Sequence, residues 1–342
     1  MNKYMTIGKS GIKASVISLG GLSIGGGNWW KSTVDENSIA TVHRALDLGV
    51  NLIDTAPIYG IGHSEEVIGK AIQGRRGEVV LSTKATFDWD TGVGRYAYDV
   101  DGHHMYCDHS YEGIIKDCEN SLRRLKTDYI DIYYTHNPAR DENMYPVAET
   151  VRALMDLKKA GKIRAIGSSN VQPEHIRKYL ECGCEIDIIQ RRYSMLDRVV
   201  EDSILPICRE QGMTLHAYSP IEKGLLTGAF TKDYQVEPGS GRSTNKWWLG
   251  VRFPMAVDFV NSLEDIRAKY NCQFSDLAVA FLRGQGEFIN VICGARRPEQ
   301  IEADIVGAEL VLADEDLAEI RRRLEALDAA VAEAEKDQDE KK

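Results

Sequence analysis

The sequence lacks any long apolar run: nothing in its 342 residues approaches the ~18 to 20 consecutive apolar residues of a membrane span. Its opening residues, MNKYMTIGKSGIKAS, have no apolar core of the kind that marks a secretion signal. It has no excess of basic residues either, since 42 Lys and Arg face 52 Asp and Glu for a formal net charge of −10. That balance argues against a nucleic-acid binder, which needs clustered cations to neutralise phosphate. The seven cysteines (Cys107, Cys118, Cys182, Cys184, Cys208, Cys272, Cys293) are scattered and odd in number. Without a secretion signal they read as reduced thiols rather than a disulfide framework. The expected setting is the cytoplasm, with no membrane and no nucleic acid as partner. A GxGxxG fingerprint is missing too. The glycine run GGLSIGGG (20–27) has neither that spacing nor a strand–helix context, and reads as a flexible first loop.

What is present is regular. Hydrophobic content of 43% and charged content of 27% are ordinary globular values, enough for a sizeable core. Eight short apolar runs recur along the chain: VISLG (16–20), NLID (51–54), VVLSTK (79–84), YIDIYYTH (129–136), IRAIGSS (163–169), DIIQ (187–190), TLHAYS (214–219) and INVICG (289–294). Amphipathic helical patterns such as YEGIIKDCENSLRRL and VAETVRALMDLKKAG lie between them, several closed by Gly. Strands separated by helices imply a parallel sheet with crossovers, and eight is a number that closes a barrel. The expected fold is therefore α/β, a (β/α)8 TIM barrel, with an open doubly wound sheet as the alternative. Two β-rich pieces around Gly8-Lys9-Ser10-Gly11 predict an N-terminal hairpin cap over the bottom of the barrel. Residues 1–330 read as one domain and 331–342 as a charged, frayed, solvated tail. Two connections, 85–110 and 220 to about 253, are long; both follow strands, which places them at the C-terminal mouth.

The strand ends carry the chemistry. Asp54 closes the second run, Tyr59 lies in the turn after it, Lys84 ends the third and His136 the fourth. Adjacent parallel strands would bring all four to one rim. A phenol titrates near pH ~10 and donates a proton poorly at neutral pH; a neighbouring ammonium is expected to lower that value. Asp54 would hold Lys84 charged, and His136 would orient a substrate oxygen and help carry the proton. The group then forms a tuned general acid facing a carbonyl, suited to hydride transfer. Singly, each residue has an ordinary explanation as a helix cap, a core phenol or a solvated lysine.

Other signals weigh less. His103, His104, Cys107 and His109 could ligate zinc by spacing, but read better as a polar loop, and no metal is expected. Cys182 and Cys184 flank Gly183 at a helix end rather than forming a redox pair. Ser64, with Glu66 and Val67 after it, reads as a helix entry.

The run DTAPIYGIGHSEEVIGKAI resembles the signature of the aldo-keto reductases, and the likeness continues through STK, DYIDIYYTHNP, GKIRAIGSSN, Gln190, AYSPIEKGLLTG and VICGARRPEQIEADI. The resemblance implies the same barrel, a nicotinamide cofactor extended over its mouth, no metal, and catalytic roles for Asp54, Tyr59, Lys84 and His136. It further implies that Ser169, Asn170 and Gln190 hold the nicotinamide carboxamide, with Asp54 beside them, and that Tyr218 stacks on the ring. Ser219, Pro220 and the loop after them would cover the pyrophosphate, and Gly294, Arg296, Gln300 and Asp304 would meet the adenosine end. Arg296 and Arg297 at the start of a helix suit a 2′-phosphate, favouring NADP(H), with NAD(H) as the alternative. Asp304 departs from the Asn usual in the family, and its carboxylate opposes that phosphate. Cys293 departs from a residue commonly apolar or proline, and is expected to pack.

Aromatic residues near the mouth (Trp29, Trp30, Trp89, Tyr106, Trp248) together with Asn137 are the expected substrate pocket, suited to an aldehyde, ketose or other sugar-like compound. The layout is most similar to bacterial members associated with sugar and inositol metabolism. Two other roles are open at this point: a cofactor-binding regulatory subunit, and a redox-assisted sugar lyase or isomerase on the same barrel. A small-molecule substrate is the expected partner, and a homo-oligomer is left open.

Overall fold

A computed structural model describes residues 2–27 and 33–339. A hairpin of β1 (Tyr4–Thr6) and β2 (Lys13–Ser15) comes first. Then β3 (Ile17–Gly20), α1 (Asp35–Asp47), β4 (Leu52–Asp54), α2 (His63–Ala71) and β5 (Val80–Ala85) open an alternating pattern. β6 (Phe87–Asp88), β7 (Arg95–Val100) and β8 (His103–Cys107) interrupt it. It resumes with α3 (Tyr111–Leu125), β9 (Ile130–Thr135), α4 (Val147–Lys159), β10 (Ile163–Ser169), α5 (Pro173–Glu181) and β11 (Ile186–Arg192). The chain ends with α6 (Val200–Ser203), α7 (Leu205–Gln211), β12 (Thr214–Tyr218), α8 (Arg252–Ser262), α9 (Glu264–Tyr270), α10 (Phe274–Arg283), β13 (Ile289–Gly294), α11 (Pro298–Glu309) and α12 (Asp314–Asp339).

Eight strands close on themselves in the order β3, β4, β5, β9, β10, β11, β12, β13, every pair parallel. This is the expected (β/α)8 barrel. Its strands read as continuous apolar runs because helices cover one face and the barrel interior the other. Strand period two then sends alternate residues inward. Low in the barrel these are apolar, with Leu52, Val80, Ile132, Ala165 and Ile188 in one cluster. Ile7, Ile12 and Ala14 of the hairpin join that cluster, so the hairpin caps the bottom. Higher up the same inward positions become polar: Ser18, Asp54, Ser82, Lys84, Gln190 and His216 are all buried.

The long connection 85–110 contains a small antiparallel sheet of β6, β8 and β7. Two local expectations change. Ser64 does not cap α2; it lies inside the first turn, accepts from Thr55 Oγ1 at 2.9 Å and donates to the Gly21 carbonyl at 2.8 Å. The end of the chain does not fray at residue 331. α12 runs on to Asp339, burying Ile320, Leu324, Leu327 and Val331, and Glu335 pairs with Arg252 at 2.6 Å. An apolar stripe in helical register outweighs the charge of that segment.

Candidate active site

The four strand-end residues meet at the mouth, where β4, β5 and β9 are neighbours. Lys84 is fully buried, and its Nζ donates to Asp54 Oδ2 at 2.8 Å, to the Thr55 carbonyl at 2.7 Å and to the Tyr59 hydroxyl at 3.4 Å. His136 stands edge-on to Tyr59, ring centres 6.1 Å apart, and packs on Phe87 at 5.1 Å. Burial alone would neutralise both Lys84 and Asp54, but each is the other's opposite charge. The net result is a lysine held above its ordinary range and a carboxyl held below it.

The electrostatics differ from expectation at the phenol. Burial pushes Tyr59 up, and the Lys84 charge only offsets part of that. Tyr59 is thus a firmly protonated donor rather than an acidified one. Burial, followed by the Lys84 charge, takes His136 down to about 3, so its imidazole is neutral across the physiological range. Its Nδ1 has no partner among the described residues. It can orient an oxygen through a ring N–H, but does not carry a proton as imidazolium.

Tyr59 is placed by glycines. Gly60 has φ +62°, and a Cβ there would lie 2.0 Å from the Gly25 carbonyl oxygen; one on Gly25 would lie 2.7 Å from the Tyr59 carbonyl oxygen. The run at 20–27, discounted as a cofactor fingerprint, therefore provides a backbone-to-backbone contact beside the turn that carries Tyr59.

A polar network extends from Asp54 beneath the four; Gln190 in it was an expected cofactor residue, whereas Ser18, Ser82, Tyr134 and His216 were not singled out in the sequence. Asp54 Oδ1 accepts from Ser82 Oγ at 2.7 Å and from Gln190 Nε2 at 3.0 Å. Gln190 Nε2 and the Tyr134 hydroxyl face His216 Nδ1 at 3.2 and 2.9 Å, leaving Nε2–H to donate to Ser18 Oγ at 2.7 Å. Burial lowers His216 to about 4, so this relay is neutral. The only signal in the sequence was a histidine at an inward position of a strand.

The expected cofactor residues occupy the arc of strand ends β10, β11, β12 and β13. Ser169 Oγ donates to Gln190 Oε1 at 3.3 Å, the Asn170 amide to the His136 carbonyl at 2.9 Å, and the Tyr218 hydroxyl to Asn170 Oδ1 at 2.8 Å. Asn170 and Ser219 have positive φ, 59° and 58°, which turns the chain away from the mouth after each strand; Pro220 follows, buried. Gly294 is exposed, with nothing within 4 Å of where a Cβ would be. Gln300 Oε1 accepts from the Arg296 backbone at 2.9 Å where α11 begins. This open arc of amides, a hydroxyl and a helix start fits an extended dinucleotide. Asp304, one turn further along α11, has a buried Oδ2 without a partner among the described residues. Burial, reinforced by the Asp276 charge, takes its carboxyl up to about 7. Cys293 is buried beside it, as packing requires.

The expected substrate pocket is largely rebuilt. Trp29 and Trp30 lie outside the described residues. Trp248 is not in a pocket: it is 2% exposed, stacks on Phe253 at 5.4 Å, meets Phe230 at 4.8 Å and donates its indole N–H to the Glu222 carbonyl. It anchors the long loop after β12, because a tryptophan with a satisfied N–H is stable in a core. Trp89 lies half-buried under the Arg124 guanidinium and packs on the small apolar cluster of Ala56, Ile58, Phe87 and Met105 that Tyr59 also packs against. Tyr106 faces outward with Tyr96 and His104, on the side of the β7–β8 ribbon opposite Cys107 and Met105. Asn137 lines a cleft, together with Phe87, Arg95, Tyr98, Arg140 and Tyr145. The candidate zinc residues are dispersed: His104 pairs with Asp99, and buried His109 bonds the Asn137 carbonyl. Among the described residues no group of three or more His, Cys, Asp or Glu is set to hold a metal ion, and no helix is long and apolar enough to cross a membrane.

A closed eight-stranded barrel with a buried Asp–Lys pair against a tyrosine at its mouth agrees with the comparisons. The aldo/keto reductase family model matches residues 16–325, so the chain belongs to that family. Members use NAD(P)H. The chain is 39% identical over 328 residues to an NADH-specific methylglyoxal reductase of Escherichia coli, covering 95% of this chain and 99% of that one. It is 37% identical over 329 residues to an aldo-keto reductase of Bacillus subtilis, covering 94% of each. Among solved structures, a glycerol dehydrogenase from Gluconobacter oxydans superposes with a TM-score of 0.85 at 30% identity, covering 94% of this chain and 95% of that one.

Proposed function

We propose that this oxidoreductase reduces the carbonyl of a small aldehyde, ketose or other sugar-like compound, with Tyr59 as proton donor. The reading rests above all on the Lys84 Nζ lying 2.8 Å from Asp54 and 3.4 Å from the Tyr59 hydroxyl. A nicotinamide bound at the mouth would supply the hydride that the carbonyl carbon takes up. Tyr59 gives its proton to the carbonyl oxygen as charge develops there, so that an alcohol leaves. The Lys84 cation stabilises the phenolate that remains, and Asp54 keeps that cation in place. Neutral His136 points a ring N–H at the same oxygen. Ser169, Asn170 and Gln190 would hold the carboxamide, Tyr218 would lie against the ring, Ser219 and Pro220 would border the pyrophosphate, and Gly294, Arg296 and Gln300 would take the adenosine end. A three-carbon substrate is supported by the names of two relatives, a methylglyoxal reductase and a glycerol dehydrogenase.

NADP(H) is the cofactor on this reading, because Arg296 and Arg297 stand where α11 begins. A second reading, NAD(H), is favoured by the unpartnered Asp304 carboxyl and by the NADH-specific relative. The test is titration with NADPH and NADH, followed by turnover on a panel of aldehydes, ketoses and keto sugars. One oxidised cofactor released per alcohol formed supports the reductase. Cofactor binding with no net oxidation on any of them contradicts it and points to a regulatory subunit or a redox-assisted sugar reaction.

A further inference from the structure

The cleft beside the four strand-end residues carries two arginines in a chain of net negative charge. It is bounded by the inner face of the β7–β8 ribbon and by the segment after β9, with about 270 Å³ of room, at the small end for a ligand pocket. Phe87 joins it to the catalytic group, since its ring meets both His136 at 5.1 Å and Tyr98 at 5.9 Å. Tyr98 lies within electrostatic reach of Tyr59 on one side and Arg140 on the other.

Two arginines line this cleft, Arg95 from the ribbon and Arg140 from the segment after β9. Both line it together with Cys107, so two arginines distant in sequence share one cleft. Arg95 stands opposite Cys107 in the ribbon, and the bulge at Ala97 returns Tyr98 to the same face. Neither arginine side chain has an ion pair or hydrogen bond to a described residue. Arg152, Arg164 and Arg322, likewise exposed, each pair with a carboxylate; these two do not.

The remaining ionisable groups leave that charge in place. Asp141 is the one carboxylate lining the cleft, and its Oδ1 accepts the backbone N–H groups of Asn143 and Met144 at 3.1 and 3.2 Å. His109 donates its Nε2–H to the Asn137 carbonyl at 2.9 Å, with a ring kept neutral by burial. The Tyr145 hydroxyl meets the Arg95 backbone, which braces the ribbon against the opposite wall. Two cations against one occupied carboxylate leave a net positive cleft beside a carbonyl-reducing centre.

Building on the reductase reading above, we infer that Arg95 and Arg140 bind an anionic group of the substrate, so that the preferred substrates are small carbonyl compounds carrying a carboxylate or a phosphate. Planar guanidiniums hold such oxyanions in a forked geometry, and the anion would sit at the cleft while the carbonyl reaches Tyr59.

The experiment compares kcat/KM within two matched pairs: succinate semialdehyde against butanal, and glyceraldehyde 3-phosphate against glyceraldehyde, with saturating NADPH or NADH. The wild-type enzyme should favour the anionic member of at least one pair by about tenfold or more, and the pair with the larger ratio identifies carboxylate or phosphate. That ratio should fall by about tenfold in Arg140→Gln with Arg95→Gln, mainly through KM, since the contact is remote from the reacting atoms. In the wild-type enzyme it should also shrink as salt is raised, a measurement that needs no variant to fold. Turnover indifferent to the anion, or a ratio that survives both substitutions and high salt, overturns the anion site while leaving the reductase standing. No turnover of any of the four overturns both.

Discussion

Lys84 stands 3.4 Å from the Tyr59 hydroxyl and remains a cation there because Asp54 is closer to it, at 2.8 Å. Burial nevertheless holds the phenol above its ordinary value. A raised value means the protonated, donating form persists to higher pH. Carbonyl reduction should therefore be flat from neutral to mildly alkaline pH and fall only above about 10. His136, down at about 3, adds no inflection near neutrality. A pH profile of kcat with an inflection between roughly 6 and 8 would contradict this assignment.

Removing one partner of the buried pair should cost more than removing chemistry. Asp54→Asn leaves Lys84 buried beside a neutral amide, and the variant should lose about 3 kcal/mol of stability as well as its activity. Lys84→Met removes the cation and should lower kcat by about a hundredfold or more. Chemical denaturation and steady-state kinetics on the two variants separate the effects.

Cofactor choice should turn on two residues of opposite sign. Arg296→Ala should weaken NADPH about tenfold more than NADH. Asp304→Asn should shift preference the other way, toward NADPH, by removing a carboxylate near the adenosine end. Equal changes for both cofactors, read by fluorescence titration, would place the 2′-phosphate elsewhere.

Asp304 also makes a stability prediction. Its folded value, about 7, lies above the ordinary 3.8, so the folded protein holds a proton the unfolded chain has lost between those values. Stability from this group is therefore present at low pH and lost as pH rises through about 7. The gain in Tm from Asp304→Asn should grow from pH 5 to pH 8, and a gain that is constant or shrinks would rule out the raised carboxyl.

The barrel was legible because each strand is an apolar run bounded by a helix, and the eight runs coincide with the eight barrel strands to within a few residues. The candidate site residues were legible for the same reason, since period two sends Asp54 and Lys84 inward at adjacent strand ends. The β7–β8 ribbon was not: its exposed residues are polar and aromatic without an apolar alternation, and its pairing is made by backbone. Trp248 misled because an indole on a long loop satisfies itself equally well in a core, and here the Glu222 carbonyl takes its N–H. Arg95 and Arg140 gave no sequence signal, because only the folded ribbon brings them to one cleft.

The measurement that bears most directly on the central claim is Tyr59→Phe, assayed for NADPH and NADH binding and for single-turnover oxidation of bound cofactor by a carbonyl substrate. Loss of turnover by about a hundredfold or more, with cofactor affinity nearly unchanged, is the predicted result. Near-normal turnover by the phenylalanine variant would contradict Tyr59 as the proton donor.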